Sequence, residues 1–246
     1  MSEYPGINVI HKKSGIVETT VGRVGSIPKN VLLATPQAVF QGPDKEWSEK
    51  FGGKLKPLNT HGNIEIYMGH SPFLRQMKRL FKGPRRTNFF FRMGLGIPTT
   101  VAGSLMGKLT RADYYNPWTE SAQVFHPSKA MAARGVGYAL HFDKASHPTM
   151  KAVFSGLPFI HAKIAWKSSQ EGLKQLDTAD VHDASKILEP AMGLSLGVDA
   201  GVFDGLTSLA LLPASGIVAG AAILAGHTHS RLFKGNIFGV PAAKKG

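Results

Sequence analysis

The side chains that could bind a metal or move a proton are ten histidines and sixteen acidic residues, with no cysteine among them. The absence of cysteine excludes disulfides and thiolate metal sites. Zinc hydrolases hold their metal with side chains grouped on one helical face or in one cleft. Of the histidines His126, His141, His147 and His161, the pair at 141 and 147 is six positions apart and does not share a helical face well. A hydrolase with a site rearranged among these four remains one alternative.

Two further groupings have the composition of metal ligands but not the spacing. Asp180, His182 and Asp183 are neighbours in the chain, and adjacent residues do not face one site, so we interpret them as the solvated start of a helix. His227 and His229 would share a face only on a strand. We therefore expect no metal and no cofactor.

The segment from Thr110 to Ala145 has the most informative order of local signals. Asn116-Pro117 predicts a turn, because proline biases the preceding residue away from the helical region. Residues 122–125 predict a short strand. Pro127 and Ser128 then predict a helix start, followed by a run rich in alanine.

This order, Y-N-P-x-T, a short strand and an alanine-rich helix, resembles a family of zincin-like proteins. In its intact members the helix carries H-E-A-G-H followed by A-K-D-F, and two histidines one turn apart hold zinc beside a glutamate base. The five aligned positions here run from Arg134 to Tyr138, and residues 139–142 fit the A-x-x-F continuation. The resemblance covers about residues 95 to 175.

The resemblance implies a metal site that has lost its ligands. Arg134 and Tyr138 stand where the histidines would be, and Gly135 stands where the glutamate would be. A guanidinium has no lone pair to offer a metal, and glycine has no side chain. A second helix, predicted over 159–176, places Ala165 at the position of the third ligand. The implied protein is not an enzyme.

A basic segment with interleaved aromatic residues precedes this region. Residues 73–81 predict an amphipathic helix, with Phe73, Leu80 and Phe81 on an apolar face and the cations largely on the other. Phe89-Phe90-Phe91 follows. We call its cations the basic cluster and expect them to bind anionic phospholipid such as cardiolipin; they are Arg75, Lys78, Arg79, Lys82, Arg85, Arg86 and Arg92. A solvated helix docking by its apolar face is the alternative.

Both ends of the chain differ in composition from this central part. Glycine and proline interrupt every run in the first 60 residues, which predicts an extended arm that lies on neighbouring surfaces. Near the other end, the run from Leu206 to Gly226 contains no charge, and its length as a helix matches the thickness of a bilayer core. A buried pair of helices in a protein core would have the same composition. With the apolar residues upstream, this run predicts an apolar helical hairpin.

The predicted fold is mainly α with a short β element. Its regions are an extended arm over 1–62, a zincin-like core over 63–185, an apolar helical and possibly membrane region over 186–235, and a tail over 236–246. The formal charge of +13 and pI near 10.0 suit an anionic partner.

We therefore expect a non-catalytic accessory subunit of a mitochondrial inner-membrane complex, either of the respiratory chain or the ATP synthase. Its partners would be the protein subunits of that complex and anionic phospholipid. Degenerate enzymes retained as scaffolds are the analogy behind this expectation. The alternative is a basic structural protein of a mitochondrial or bacterial ribosome or another ribonucleoprotein. No RNA-binding signature is present, so nucleic acid is not the partner that we expect.

Overall fold

The structure is a computed structural model. It describes residues 6–12, 16–35, 37, 41, 43–58, 60–82, 86–111, 113–155, 157, 160–207, 212–232 and 236–241, with side chains omitted at 16–19, 110 and 193–219. The chain is mostly helical with one small sheet, as predicted. It divides into a first unit, Met1–Ser128 with Ala139–Ala152, and a second unit, Lys129–Tyr138 with Val153–Gly246.

The first unit is built on a four-stranded sheet in the order β1-β2-β4-β3. β1 pairs with β2, and β2 pairs with β4, in parallel, whereas β3 runs antiparallel to β4 at the edge. The apolar residues Ile64, Ile66, Met68 and Val124 are at most 1 % exposed and form the centre of its core. The strands are β1 Gly6–His11, β2 Asn63–Met68, β3 Tyr114–Asn116 and β4 Ser121–Val124.

Helices cover this sheet, and several begin at a side chain that caps them. Asp44 accepts a hydrogen bond from the Trp47 amide at 2.6 Å, and Asn88 accepts one from the Phe90 amide at 3.0 Å. The helices that lie wholly in this unit are α1 Ile16–Leu32, α2 Lys45–Leu55, α3 Phe73–Lys82, α4 Phe89–Gly94 and α5 Gly96–Thr110.

Helices are the only regular elements among the described residues of the second unit. α9 and α10 pack against each other along their length, and a Cβ at Gly226 would lie 2.7 Å from the backbone of Glu189. α6 and α7 each begin in one unit and end in the other. The remaining helices are α6 Lys129–Asp143, α7 Pro148–Phe154, α8 Ile160–Leu173, α9 Thr178–Thr207 and α10 Leu212–Leu232.

The predicted extended arm over 1–62 is wrong. β1 is paired with β2 in the sheet, and α1 and α2 occupy much of the remainder. Two of the glycines that we interpreted as breakers are places of close approach: a Cβ at Gly22 would lie 2.7 Å from the Lys108 carbonyl oxygen, and one at Gly52 would lie 2.9 Å from the Val9 side chain. Helix packing stabilises these segments despite their low propensity.

One of the predicted boundaries falls within a helix. The boundary at 185/186 lies inside α9, and the uncharged run from Leu206 to Gly226 includes 208–211, which are outside the described residues. Within the described ranges, no helix combines the length and the apolar character needed to cross a bilayer.

Candidate functional site

The four residues of the predicted former metal site all belong to the second unit. Arg134, Gly135 and Tyr138 lie half-buried on α6, and Ala165 is fully buried on α8. The Arg134 guanidinium carbon lies 5.7 Å from the centre of the Tyr138 ring. This cation–π contact is of the kind that contributes about 0.5–1 kcal/mol at partly exposed sites. Each of the two residues thus has the other as a partner.

Next to this pair, α6 and α8 cross with their backbones in contact. A Cβ at Gly137 would collide with the carbonyl of Ser168, and a Cβ at Gly172 would collide with the carbonyl of Ala133. Gly137 and Gly172 therefore let the two helices approach closely. Across the described part of the chain, no three His, Asp or Glu residues are grouped closely enough to hold a metal ion.

The basic cluster does not form one solvent-facing group of cations. Glu65 on β2 is buried and forms ion pairs with Arg75 at 2.5 Å and with Arg79 at 3.2 Å. Burial by itself would raise the pKa of Glu65, but the hydrogen bond from Arg75 and the charge of Arg79 bring it below its usual value. Arg79 is only 6 % exposed and also donates to the Thr119 carbonyl at 2.7 Å.

The rest of the cluster divides between internal contacts and the surface. Arg86 donates to Asp143 at 2.8 Å, and Arg92 is buried. Lys78 and Lys82 are exposed on α3, and Arg85 lies outside the described residues. The two lysines are therefore the members whose position is compatible with binding a ligand by charge alone.

The histidines considered for a rearranged metal site have other roles where the structure describes their contacts. His126 is buried, its ring nitrogens lie 3.1 Å from Thr35 Oγ1 and 2.9 Å from Ser128 Oγ, and burial lowers its pKa to about 4. In the second unit, His229 lies on α10, with Nδ1 2.8 Å from a Glu189 carboxylate oxygen. Glu189 also accepts from the Ile237 amide at 3.2 Å, so this pair ties the C-terminal segment to α9.

Sequence reasoning missed a polar cluster in the first unit, centred on Asp143 at the end of α6. The Asp143 carboxylate accepts from the amides of His61, at 2.9 and 3.0 Å, and Gly62, at 2.9 Å, and from the Arg86 guanidinium. It also lies 3.1 Å from the His61 ring Nδ1. These partners leave Asp143 little capacity to bind anything else. The His61 side chain is 72 % exposed, so its other ring nitrogen lies near solvent.

Glu120 lies beside this cluster and has unusual surroundings. It is 6 % exposed, its backbone is left-handed with φ 47°, and its Oε2 has no hydrogen-bond partner in the described structure. Burial raises its pKa to about 7, with a smaller contribution from the Asp143 charge, while Arg79, Arg86 and Arg92 act in the opposite direction. A Cβ at Gly62 would collide with this carboxylate, so only glycine fits there without a shift.

The carboxylate lines a cavity of about 10 Å³, enough for about one water molecule. Tyr115, Asp143 and apolar side chains complete the lining, and burial raises the pKa of Tyr115 well above its usual value. Glu120 can therefore hold or release a proton near neutral pH, but the cavity does not accommodate an organic substrate. Glu120 is the last residue of the Asn116-Pro117 turn and directly precedes β4. A glutamate at the start of a buried strand was the one signal in the sequence that could have identified it.

No protein-family model, no curated protein and no solved structure matches this chain.

Proposed function

We propose that this chain is a non-catalytic accessory subunit of a mitochondrial inner-membrane energy-converting complex, of the respiratory chain or the ATP synthase. In this proposal its zincin-like core and apolar C-terminal hairpin serve as scaffold. The observation that carries the proposal is an apolar stripe on the solvent side of α1. Val21, Val24, Ile27 and Val31 are 46 %, 68 %, 45 % and 62 % exposed.

The spacing of this stripe indicates what would cover it. Positions 21, 24, 27 and 31 follow the three- and four-residue steps of one helical face, which is how a helix fills a groove or packs against another helix of a protein partner. α5 packs beside α1 and also carries exposed apolar residues, Val101 and Leu105. Contiguous exposed apolar surface of this kind marks an interaction site more often than a free surface.

The α6–α8 crossing supports a structural rather than a catalytic role. The Arg134–Tyr138 contact and the backbone contact at Gly137 and Gly172 occupy the region where the resemblance places a zinc site. These contacts are what we expect when packing has replaced metal binding.

The test is the mass and composition of the native particle in a mild detergent extract of mitochondrial membranes. We expect the chain to co-purify stoichiometrically with the subunits of one energy-converting complex. The variant Val24→Ser/Val31→Ser should be lost from that complex, whereas Leu224→Ser, at a site 66 % exposed on α10, should be retained. A free monomer, stoichiometric zinc or peptidase activity in the purified chain would overturn the proposal.

A further inference from the structure

The buried side of α3 carries two polar residues that its sequence pattern does not predict there. The buried side of this helix carries Gln76 and Arg79, whereas Leu74 and Phe81 are 81 % and 57 % exposed. Gln76 is held inside by Ser104, which donates to its Oε1 at 3.1 Å, and its own Nε2 donates to Ser121 at 3.3 Å. Leu80 is buried beside these polar residues, whereas Leu74 and Phe81 lie in solvent.

The next helix repeats this arrangement. Phe89, Phe90 and Phe91 of α4 are 52 %, 81 % and 45 % exposed, whereas the following Arg92 is buried. Successive residues of a helix are about 100° apart, so three consecutive phenylalanines cover about 200° of its circumference. A rigid protein groove receives a single stripe of a helix, but a fluid apolar medium can receive all three rings.

Two cations accompany these apolar residues. Lys78 and Lys82 are exposed on the same side of α3 as Leu74 and Phe81, because positions 74, 78, 81 and 82 follow helical steps. Neither lysine forms an ion pair with a carboxylate in the described residues, in contrast to Arg75 and Arg79, which Glu65 binds. α3 and α4 contact each other, so the lysines and the phenylalanines belong to one region of the first unit.

We propose that this surface docks on an anionic phospholipid bilayer; its residues are Leu74, Lys78, Phe81 and Lys82 of α3 and Phe89, Phe90 and Phe91 of α4. The proposal rests on the proposed function and names the lipid surface as a partner. The phenylalanines enter the boundary between headgroups and acyl chains, and the lysines remain at the level of the lipid phosphates. The net charge of +13 attracts the chain to such a surface before the rings enter it.

Single-stranded RNA is the other polyanion that aromatic and basic residues can bind, and the geometry favours lipid. Base stacking uses flat aromatic faces beside a cationic groove that follows the phosphates. Here the phenylalanines project from a convex helix, and Phe89 and Phe90 meet edge to face, with ring centres 5.9 Å apart and planes at 76°. Such rings form no parallel platform for successive bases.

The experiment is sedimentation of the purified full-length chain with vesicles of phosphatidylcholine alone or of phosphatidylcholine with cardiolipin. We expect binding to the cardiolipin vesicles that weakens with salt. Lys78→Gln/Lys82→Gln should reduce the affinity roughly 20- to 30-fold, since one basic residue near an anionic surface contributes about fivefold. The separate variant Phe89→Ser/Phe90→Ser should reduce the affinity more than the lysine variant does, and it should do so for both vesicle types.

Matched controls are Lys163→Gln/Lys167→Gln, two exposed lysines of α8, and Phe154→Ser, at an exposed position on α7. Both controls should bind as the unmodified chain does, and circular dichroism of every variant reports whether it is folded. Equal binding by the lysine and control variants, no preference for cardiolipin, or binding to single-stranded RNA but not to vesicles would each overturn the proposal.

The outcome is separable from that of the proposed function, because vesicle binding needs no protein partner. If the chain binds vesicles but joins no complex, the proposed lipid surface is supported and the accessory-subunit role is overturned. If the chain assembles into a complex but does not bind anionic vesicles, the accessory-subunit role is supported and the proposed lipid surface is overturned.

Discussion

Glu120 shows how the surroundings of one residue change its chemistry. A carboxyl group normally ionises near pH 4 because water stabilises its charge. At position 120 burial removes that water, and Oε2 gains no hydrogen bond in return within the described structure. The pKa rises to about 7 even though three arginines attract the charged form. Glu120 is thus a proton-binding group inside the first unit.

Replacing Glu120 with glutamine should make the protein relatively more stable as pH rises. In the folded chain the pKa is about 7 against an ordinary value of 4.5, so between these values the folded state holds a proton that the unfolded state has released. The contribution of Glu120 to stability is therefore lost as pH rises from about 4.5 to 7. The difference in unfolding free energy between Glu120→Gln and the unmodified chain should grow by about 3 kcal/mol over this window.

Urea unfolding at a series of pH values measures this difference. Glu46→Gln, at an exposed position on α2, is the control for removing one negative charge. Parallel pH profiles for Glu120→Gln and the unmodified chain would contradict the prediction.

The Arg134–Tyr138 pair leads to a second prediction for individual residues. The variant Arg134→His/Gly135→Glu/Tyr138→His introduces an H-E-x-x-H motif on α6, but Ala165 provides no third ligand. We expect no zinc-dependent peptidase activity. We also expect an unfolding free energy lower by on the order of 1 kcal/mol, because the cation–π contact is lost. Metal analysis, a peptidase assay and thermal unfolding measure these effects. Zinc-dependent cleavage by the variant would contradict this prediction.

At the scale of helices and strands, glycines determine how closely elements approach. α6 and α8 touch through Gly137 and Gly172, α1 approaches the backbone of Lys108 at Gly22, and α2 lies on β1 at Gly52. Each of these glycines lowers intrinsic helix stability by about 1 kcal/mol relative to alanine. Closer packing between elements offsets that loss, which is why the segments are helical in spite of their composition.

Alanine at Gly137 should therefore destabilise the protein although alanine favours helices. Its Cβ would collide with the Ser168 carbonyl, and overpacking of a backbone contact costs about 1–3 kcal/mol. Gly53→Ala on α2 is the matched control, since a Cβ there meets nothing within 4 Å and should stabilise the helix by about 0.5–1 kcal/mol. Thermal unfolding compares the two. A Gly137→Ala variant as stable as Gly53→Ala would show that α6 and α8 separate without cost.

For the whole molecule, the excess of positive charge opposes compaction. Twenty-nine basic and sixteen acidic residues give a formal charge of +13, and several acidic residues are already engaged by buried cations. Most of the repulsion therefore comes from charges at the surface, which salt screens. The same charge draws the protein toward anionic partners.

We expect the midpoint of thermal unfolding to rise when NaCl is increased from about 0.01 M to 0.15 M, because the screening length falls from about 30 Å to about 8 Å. Lys50, Lys56, Lys163 and Lys167 are exposed, and changing all of them to glutamine should reduce this salt dependence. Differential scanning fluorimetry measures both effects. A midpoint that falls with salt would mean that surface attraction outweighs repulsion.

Local signals in the sequence were sufficient for the elements whose formation depends on neighbouring residues. The strand predicted over 122–125 is found one residue earlier, at Ser121–Val124, and the helices predicted from 73 and from 128 begin at or within one residue of those positions. The turn at Asn116 is also confirmed, because its side chain accepts a hydrogen bond from the Trp118 amide at 3.0 Å. In each case a cap, a proline or a short periodic run determines the backbone within one or two turns.

Tertiary contacts decided which faces are buried and which groups have altered chemistry. The period of α3 was predicted correctly, and Leu80 is buried as expected. The burial of Arg79 and Gln76 was not predicted, because the partner of Arg79 is Glu65 on another element and the partners of Gln76 are more distant still. Glycine is ambiguous for the same reason, since it either interrupts a helix or permits contact with another one. The pKa of Glu120 depends on the loss of water and on charges brought together from four separate segments of the chain. No local pattern contains that information, because burial and long-range charge exist only after the elements have packed.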